Sequence, residues 1–327
     1  MSAVFLKSRV SNAIRCYWNY ALSRMGLVRI SHAPLFVSVE PAAVCQLRCP
    51  ECPVGRRDNG ISTSRNTDKL LSLDLFRKVL GEVKEYAHTM QFYFQGEPLL
   101  NKDLATMVAE AHEAGLYTIV STNAQAMTKE LAEALVKAGL NRIIVSMDGL
   151  TQATYGAYRI GGDVEKAKAA LRYLREAKEK FRIEDLRLQI ELQCLRLKTN
   201  EHEWAELKRT YKTLGADCLS LKTAQLYDYE KGHDLMPSDP RYSRYEQGSD
   251  GLFHRKKRAR GCLRVWSGVV VTTTGEVLPC CYDKGHAYSY GNVKDAPIAE
   301  LFRNEKALAF RRAAMSEQPK ICQECWR

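Results

Sequence analysis

The sequence predicts an α/β fold built on a parallel sheet, on three observations. Apolar segments of strand length alternate with amphipathic segments of helix length from residue 34 to residue 224. Three helical segments are followed by Gly115, Gly139 and Gly215, as is common where helices end. The 327 residues are 45% hydrophobic, which is enough for a large core. The alternation favours parallel strands with right-handed crossovers, as an open doubly wound sheet or a partial (β/α)6 barrel.

Six strands and five helices account for this alternation. The strands are predicted at residues 35–39, 90–94, 117–121, 142–147, 186–194 and 217–223. The helices are predicted near residues 72–86, 102–114, 128–138, 163–180 and 200–214. Either sheet arrangement places its ligand site at the carboxyl ends of the strands, so residues 34–224 are the expected core domain.

Residues 1–33 precede this domain and predict a basic amphipathic helix at 4–28. Apolar residues recur there at three- and four-residue spacing, with basic residues among them. The apolar positions are Leu6, Val10, Ile14, Trp18, Leu22 and Met25. One interpretation is a helix that contacts an anionic membrane surface or a partner protein. The other is a helix packed against its own barrel.

Composition limits the classes of protein. The sequence contains no run of about eighteen apolar residues, so it predicts no transmembrane helix. The first residues also lack the apolar region of a secretory signal. We therefore expect a cytoplasmic protein, with attachment at the membrane periphery left open. Thiols stay reduced there, so the eleven cysteines are interpreted as metal ligands or redox groups. The net charge of +11 favours anionic partners without selecting one.

Three cysteines early in the core domain form the most specific motif. Cys45, Cys49 and Cys52 follow the first predicted strand with C-x3-C-x2-C spacing, and the next cysteine is Cys194. Zinc sites and most ferredoxin-like clusters recruit a fourth thiolate nearby. Three thiolates on one short loop instead suit a 4Fe-4S cube with one open iron. Such an iron could bind a substrate or cofactor directly.

Polar residues follow the next three predicted strands. The second runs into Gln95-Gly96-Glu97-Pro98, the third ends in Ser121-Thr122-Asn123, and the fourth ends in Ser146-Met147-Asp148-Gly149. Turn chemistry could explain any one of these segments. The carboxyl ends of parallel strands share one edge, so their coincidence with the cysteine loop indicates a common site.

The C-terminal part contains a second cysteine set. Residues 225–260 predict an irregular connection ending in the basic run 254–260. Residues 261–327 predict a small domain of a hairpin and a helix near 297–314. Its cysteines are Cys262, Cys280, Cys322 and Cys325. Four thiolates could ligate a 4Fe-4S cluster or a zinc ion.

The cysteine loop resembles the signature of the radical S-adenosylmethionine (SAM) family, and the resemblance covers residues 34–224. It implies a partial (β/α)6 barrel in which Cys45, Cys49 and Cys52 hold a SAM-binding 4Fe-4S cluster. Gln95-Gly96-Glu97-Pro98 is similar to the family's Gly-Gly-Glu-Pro motif, which contacts the methionyl amino group of SAM. Gln95 departs from that motif and adds an amide that could itself face the ligand.

The same resemblance implies further contacts to SAM. Ser121, Asn123, Ser146 and Asp148 match positions that approach its ribose and methionyl parts. Arg159 matches a position that meets its carboxylate.

The C-terminal cysteine set resembles a shortened SPASM domain, called the twitch domain, which binds one auxiliary 4Fe-4S cluster. This resemblance implies that Cys262, Cys280, Cys322 and Cys325 are its ligands, so the cofactors would be SAM and two 4Fe-4S clusters. The chain ends two residues after Cys325, so a second auxiliary cluster is not expected.

Two residues after a predicted cluster ligand are candidate catalytic residues. Cys281 could return a hydrogen atom to a substrate or contact the auxiliary cluster. Asp283 could accept a proton. The alternative is that Cys281 is an incidental neighbour in a Cys-Cys pair.

The family resemblance implies one-electron chemistry with a reducing partner such as flavodoxin or ferredoxin. SAM would be cleaved to methionine and a 5′-deoxyadenosyl radical, which abstracts hydrogen from a substrate. The substrate classes are a peptide that is modified, or a sugar or cyclitol-like molecule that is oxidised or rearranged. A lipid-linked substrate is a third option, suggested by the basic helix.

A different class of function stays open at this point. A non-catalytic zinc- or nucleic-acid-binding protein could use the cysteine sites and the basic run 254–260. That run lacks interleaved aromatic residues, so nucleic acid is not the expected partner. Iron content and SAM cleavage separate the two classes.

Overall fold

The computed structural model describes residues 3–56, 69–181, 188–256, 261–316, 318–323 and 325. The chain divides into two compact units. The first unit contains residues 1–44, 60–119 and 259–327, and the second contains residues 45–59 and 120–258. None of the helices within the described residues is long and apolar enough for a membrane crossing.

Eleven strands lie in the described part of the chain. They are β1 Phe36–Val39, β2 Thr89–Phe92, β3 Tyr117–Thr122, β4 Arg142–Ser146, β5 Gln189–Arg196, β6 Cys218–Thr223, β7 Tyr245–Gln247, β8 Phe253–Arg255, β9 Gly268–Val271, β10 Glu276–Leu278 and β11 Gly291–Asn292. The six predicted strands of the core domain correspond to β1–β6. Residues 186–187 of the fifth prediction lie outside the described residues.

Twelve α-helices lie in the same described ranges. They are α1 Ala3–Arg24, α2 Pro53–Arg56, α3 Leu73–Val83, α4 Leu104–Glu113, α5 Lys129–Lys137, α6 Gln152–Gly156, α7 Val164–Lys180, α8 Trp204–Thr210, α9 Leu263–Ser267, α10 Ile298–Leu301, α11 Glu305–Met315 and α12 Lys320–Gln323. The five predicted core helices are confirmed as α3, α4, α5, α7 and α8. The last is shorter than predicted, because a 3-10 turn at Lys198–Glu203 precedes it. The helix predicted near 297–314 is two helices, α10 and α11.

Local sequence determines where the core helices begin and end. Ser72 and Thr128 cap α3 and α5 by accepting hydrogen bonds from backbone N–H groups three residues later. Gly115, Gly139 and Gly215 follow helical segments with φ of 73°, 80° and 108°. Residues with side chains disfavour this left-handed backbone, so glycine allows each chain reversal toward the next strand.

The first unit is organised around β1. Parallel pairing joins β1 to β2 on one side and to β9 on the other, with Val37 opposite both Met90 and Val269. The antiparallel strands β10 and β11 continue the sheet beyond β9. The sequence predicts the C-terminal hairpin as part of a separate small domain. In the structure, the buried run Val269–Val271 instead extends the parallel sheet beside β1.

The second unit contains the parallel strands β4, β5 and β6 in that order. Ile190 and Leu192 are buried on one face of β5, and helix α7 packs on the same unit through a buried stripe that includes Leu171 and Leu174. On β5, Gln193 alternates with the buried residues and lies opposite Ser220 of β6. One face of this sheet is therefore apolar and the other carries polar side chains.

Residues 225–256 are more ordered than the predicted irregular connection. They contain a 3-10 turn at Pro240–Tyr242 and the antiparallel hairpin β7–β8. His254 and Arg255, at the start of the predicted basic run, lie on β8. Residues 257–260 of that run are outside the described residues.

Helix α1 confirms the predicted helix but packs through an unexpected face. Arg9, Asn12, Cys16, Asn19 and Ser23 are buried against the first unit. Of the predicted apolar positions, Val10, Ile14, Trp18 and Met25 are exposed and Leu22 is half-buried. The helix therefore packs against its own protein, as one of the two interpretations expects, but through polar side chains and their hydrogen bonds and not through the apolar positions.

Candidate functional site

The predicted cluster loop, residues 45–52, lies in an apolar environment in the second unit. Cys49 belongs to a buried cluster whose other members are Leu47, Tyr158, Leu197, Ala224, Leu226, Leu235, Met236 and Tyr245. Cys45 and Cys52 are partly buried against the same cluster. The surrounding side chains come partly from residues 224–245, so the connection after β6 helps to exclude water from the thiols.

The Cys45 thiol receives hydrogen bonds from a side chain and the backbone. Asn123 donates through Nδ2 to Cys45 Sγ at 3.3 Å, and the Leu47 N–H donates to the same sulfur at 3.4 Å. Gln46 in turn donates to Asn123 Oδ1 at 3.1 Å. Donors around a sulfur stabilise its thiolate form, which is the form that ligates iron. The structure thus brings two sequence-predicted residues, Asn123 and Cys45, into contact.

Two further sequence-predicted residues form a buried ion pair. Arg159 donates through Nε to an Asp148 carboxylate oxygen at 2.6 Å. Asp148 also accepts a hydrogen bond from the Leu195 N–H at 2.6 Å. The other guanidinium nitrogens of Arg159 have no hydrogen-bond partner among the described residues, so they are available to an anionic ligand such as a carboxylate.

Electrostatics link this pair to the cysteine loop. Burial raises the pKa of Cys49 to about 11, and the nearby Arg159 guanidinium opposes that rise. Burial disfavours the charged form of Arg159, but the Asp148 carboxylate and the Cys49 thiol raise the pKa of the guanidinium well above its ordinary value. Arg159 therefore stays cationic and offsets negative charge at the thiols.

The donor set fits the 4Fe-4S cluster that the sequence predicts. Three thiols lie on one loop, with N–H donors at Cys45 and a cation near Cys49. Within the described residues, no three His, Cys, Asp or Glu side chains form a group that could hold a metal ion. A cube does not require such convergence, because each thiolate binds a different iron.

Ser121 and Ser146 also lie in the expected positions, near the ends of β3 and β4. Ser146 is buried and Ser121 is half-buried. Among the described residues, no hydrogen bond joins either hydroxyl to the cysteine loop or to the Asp148–Arg159 pair. Their contacts to SAM stay predictions.

The segment Gln95–Pro98 lies in the first unit and packs on the backbone that leads into the cysteine loop. The Glu97 N–H donates to the Val44 carbonyl at 2.8 Å. A Cβ at Gly96 would lie 2.1 Å from the Ala42 carbonyl oxygen, so only glycine fits there. Gln95 donates through Nε2 to the Lys284 carbonyl at 3.0 Å, which gives its amide a contact within the protein.

The four C-terminal cysteines lie near one another in the first unit. Burial raises the pKa of Cys322 to about 12, and Cys262 and Cys325 add to the rise. Burial also raises the pKa of Cys280, with contributions from Cys281, Cys322 and Cys325. Cys322 therefore interacts electrostatically with Cys262, Cys280 and Cys325, and the role of the four thiols as ligands of one auxiliary cluster stays a prediction.

Asp283 holds the loop that follows Cys280 and Cys281. It is fully buried, and its two carboxylate oxygens accept hydrogen bonds from the Ala287 and Tyr288 N–H groups at 2.8 and 2.9 Å. Burial raises its pKa, and these hydrogen bonds oppose the rise. These contacts favour a role in shaping the loop, and proton acceptance by Asp283 stays a prediction.

Two family models match the chain. The radical SAM superfamily model matches residues 39–183, and the SPASM iron-sulfur cluster-binding domain matches residues 262–326. The chain is a radical SAM protein with a C-terminal SPASM domain.

Known proteins of this kind align over most of the chain. An AdoMet-dependent heme synthase from Methanosarcina barkeri is 25% identical, with 91% of this chain and 93% of the relative covered. A PqqA peptide cyclase from Rhodopseudomonas palustris is 27% identical, with 89% and 79% covered. The crystal structure of BtrN in complex with AdoMet (SAM) and 2-DOIA superposes with a TM-score of 0.56 at 18% identity, covering 91% of this chain and 95% of BtrN.

These comparisons confirm the expected fold class and the enzyme class. The radical SAM domain implies SAM and a 4Fe-4S cluster, and the SPASM domain implies additional iron-sulfur chemistry. The protein is therefore a radical SAM enzyme, and the alternative of a non-catalytic zinc- or nucleic-acid-binding protein is set aside. Which residues hold each cofactor stays a prediction.

Sequence reasoning missed two charged residues beside the predicted cluster ligands of this radical SAM enzyme. Arg264 is half-buried near Cys262, Cys280 and Cys281, and these thiols raise the pKa of its guanidinium against the effect of burial. Glu51 lies between two loop cysteines and accepts a hydrogen bond from the Tyr227 N–H. The sequence did contain signals for both residues. Arg264 is two residues after a predicted cluster ligand, and Glu51 is an acid inside the cysteine loop.

Proposed function

We propose that this radical SAM enzyme abstracts a hydrogen atom from a carbon of a polar substrate and oxidises that substrate. The observation that carries the proposal is the thiol loop itself. Its sulfurs lie in an apolar pocket, Cys45 receives two N–H donors, and a cation stands beside Cys49. Bound SAM and its reduced cluster supply the 5′-deoxyadenosyl radical that performs the abstraction.

The protein's own residues position and protect this chemistry. Cys45, Cys49 and Cys52 would hold the SAM-binding cluster, and Arg159 would direct its remaining N–H groups to the SAM carboxylate. Asp148 fixes the Arg159 guanidinium, and Asn123 fixes Cys45. The apolar side chains around the loop exclude water, which would otherwise quench reactive species.

The proposed contacts to SAM extend to the rest of the predicted set. Glu97 and Gly96 shape the backbone beside residue 44, and Pro98 begins a 3-10 turn there. Gln95 would contribute to SAM binding through its backbone, since its side-chain amide donates to Lys284. Ser121 and Ser146 would contact the ribose and methionyl parts.

The C-terminal thiols support oxidation as the outcome. Removal of a hydrogen atom leaves a substrate radical, which becomes an oxidised product when it loses one more electron and one proton. Cys262, Cys280, Cys322 and Cys325 would hold a cluster that accepts this electron, and Arg264 beside them offsets its negative charge. The proton could pass to Asp283, or Cys281 could act as a hydrogen donor in a redox-neutral variant of the reaction.

The substrate class we favour is a polar small molecule such as a sugar or cyclitol. Gln193 and Ser220 lie opposite each other on the polar face of β5 and β6, and the neighbouring Lys222 is exposed. Hydroxyl, amide and ammonium groups suit a hydroxylated or anionic ligand. A peptide is the second candidate, favoured by the similarity to a PqqA peptide cyclase over 89% of the chain.

We place the reaction in the cytoplasm, with electrons delivered by a protein such as flavodoxin or ferredoxin. Reduced thiols are stable in that compartment, and both predicted cysteine sets require them. The net charge of +11 favours an acidic electron donor, because opposite charge accelerates encounter.

Deuterium transfer tests this proposal. The iron-loaded protein is reduced anaerobically with SAM and a panel of deuterated sugars, cyclitols and peptides, and 5′-deoxyadenosine is analysed by mass spectrometry. Deuterium in 5′-deoxyadenosine from a labelled sugar or cyclitol supports the favoured class. Transfer only from peptides selects the second candidate, and failure to form 5′-deoxyadenosine under any condition contradicts the proposal.

The Cys262→Ala variant separates the two predicted clusters. It should still form 5′-deoxyadenosine, because the cysteine loop is intact, but it should not release oxidised product. Equal product formation by Cys262→Ala and the unmodified protein would exclude the auxiliary thiols as the electron acceptor.

A further inference from the structure

Helix α1 presents a continuous apolar stripe to solvent. Val10, Ile14 and Trp18 are four residues apart, and Tyr17 is three residues after Ile14, so these side chains lie on one face of the helix. On α1 the stripe consists of Val10 (51% exposed), Ile14 (64%), Tyr17 (53%) and Trp18 (65%), and Met25 (75%) continues it directly after the helix ends at Arg24. A helix on the surface of a globular protein ordinarily turns such a stripe toward the core. Here the stripe faces away from it.

Hydrogen bonds from polar side chains fix this orientation. The Arg9 guanidinium donates to the carbonyl groups of Lys84, Ala114 and Gly115. Asn12 exchanges hydrogen bonds with the backbone of Ala33 in both directions, at 3.0 and 2.9 Å. Rotating the helix to bury its stripe would break these bonds and deprive the carbonyl groups of Lys84, Ala114 and Gly115 of this donor.

Further polar contacts hold the C-terminal half of the same helix face against the first unit. Asn19 donates to the Arg15 carbonyl and to Ser31, and it lies 3.1 Å from Nδ1 of His32. The other ring nitrogen of His32 is 2.7 Å from the Trp266 carbonyl. The buried face is therefore satisfied along its length, and the outward stripe is a stable feature of the fold.

The charges around the stripe have one sign. The first 39 residues contain five Lys or Arg and no Asp or Glu. On α1, Lys7, Arg15 and Arg24 are exposed, and Arg15 and Arg24 lie on opposite sides of the apolar stripe. This arrangement is complementary to a surface that is apolar below and anionic above.

From these observations we propose that α1 lies flat on an anionic lipid bilayer, with its stripe at the boundary between headgroups and acyl chains. From Val10 to the end of the helix at Arg24 the stripe runs for about 21 Å, which suits one helix parallel to the surface. Trp18 and Tyr17 have the amphipathic rings that concentrate at such interfaces. Lys7 and Arg15 would contact lipid phosphates.

A bilayer with anionic headgroups fits the stripe because exposed cations, Arg15 and Arg24, flank it on both sides. Its members are large aliphatic and aromatic side chains, and Ala21 lies between Trp18 and Met25 without interrupting the apolar surface. Membrane attachment through α1 would hold the enzyme at the surface of the bilayer. The proposal does not depend on the reaction assigned to the enzyme.

Vesicle co-sedimentation of the iron-loaded, full-length protein tests this inference. Vesicles of phosphatidylcholine with phosphatidylglycerol should bind the protein, and vesicles of phosphatidylcholine alone should bind it more weakly. Added salt should weaken binding to the anionic vesicles. Ile14→Gln and Trp18→Gln should each reduce partitioning about tenfold, because each removes a large apolar side chain from the interface.

The experiment also needs a matched control variant and a test for the alternative that the stripe binds a second copy of the protein. Leu252→Gln changes an apolar side chain that is 39% exposed outside the stripe and should leave vesicle binding unchanged. Formation of 5′-deoxyadenosine should be the same in all variants, which shows that they fold. Equal vesicle binding by the stripe variants and the unmodified protein would overturn the proposal. So would a lack of vesicle binding combined with concentration-dependent dimerisation that the stripe variants abolish.

Discussion

Arg159 donates through Nε to Asp148 at 2.6 Å, and the same guanidinium lies close enough to Cys49 to shift the pKa of its thiol. One buried ion pair therefore connects the end of β4 to the predicted cluster loop. The sequence suggests that both residues contact SAM. The structure adds that each also determines the position of the other.

Replacing the acid should expose this dependence. Asp148→Asn leaves the Arg159 guanidinium buried without its counter-charge and should cost about 3 kcal/mol in the free energy of unfolding. The KM for SAM should rise as well, because Arg159 loses its fixed orientation. Anaerobic urea titration and SAM-cleavage kinetics measure the two effects.

The matched control is an exposed ion pair. Glu133→Gln removes the partner of Lys180, whose side chain is 58% exposed, and should destabilise the protein much less than Asp148→Asn, because solvent screens such a pair. If Asp148→Asn is no more destabilising than Glu133→Gln, the Asp148–Arg159 ion pair does not stabilise the fold as predicted.

Asn123 should influence the reduction potential of the SAM-binding cluster. Hydrogen bonds to cluster sulfurs stabilise the more negative, reduced state. Loss of the Asn123 donor in Asn123→Ala should therefore make the potential more negative by tens of millivolts, corresponding to about 1 kcal/mol. Potentiometric titration followed by electron paramagnetic resonance measures the shift. Gln247→Ala, which removes an exposed amide, serves as the control, and an equal potential in both variants would contradict the prediction.

Gly96 should tolerate no side chain. A Cβ there would lie 2.1 Å from the Ala42 carbonyl oxygen and 2.7 Å from that of Val44, and backbone atoms cannot move aside cheaply. Gly96→Ala should lose SAM binding, as measured by equilibrium dialysis. Gly81→Ala on α3 meets nothing within 4 Å and should instead raise the free energy of unfolding by about 0.5–1 kcal/mol. Retained SAM affinity in Gly96→Ala would show that the segment can rearrange.

Glu40 should make stability depend on pH. Burial raises the pKa of this carboxyl from its ordinary 4.5 to about 7, and the Thr273 N–H partly opposes the rise. Between these values the folded protein retains a proton that the unfolded chain releases, so stability falls as pH rises. The loss is complete above the folded-state pKa.

Glu40→Gln removes this titration. From about pH 5 to about pH 8, the variant should gain roughly 2–3 kcal/mol in free energy of unfolding relative to the unmodified protein. Anaerobic guanidinium unfolding at the two pH values measures the difference. If the difference in free energy of unfolding between the two proteins is the same at both pH values, the pKa of Glu40 is not raised in the folded protein.

The sequence predicts the core elements well because their signals are local. Alternating periodicity, caps such as Ser72 and glycines such as Gly115 mark β1–β6 and the helices between them. The cysteine loop is equally local, since Cys45, Cys49 and Cys52 lie within eight residues.

Long-range pairing and helix orientation were not predictable in the same way. The parallel pairing of Val37 with Val269 joins residues far apart in the chain, and no local pattern specifies it. The apolar periodicity of α1 predicts a helix but not the direction in which Ile14 points, since the hydrogen bonds of Arg9 depend on distant carbonyl groups. The contact between Arg159 and Asp148 likewise appears only when β4 and the segment after α6 are placed together.

The most direct test of the central claim is SAM cleavage by the iron-loaded protein under anaerobic reduction. The unmodified protein and Cys218→Ala, which changes a cysteine outside both predicted ligand sets, should form 5′-deoxyadenosine at similar rates. Cys45→Ala should form essentially none. Undiminished 5′-deoxyadenosine formation by Cys45→Ala would contradict the assignment of this loop as the place where the reaction begins.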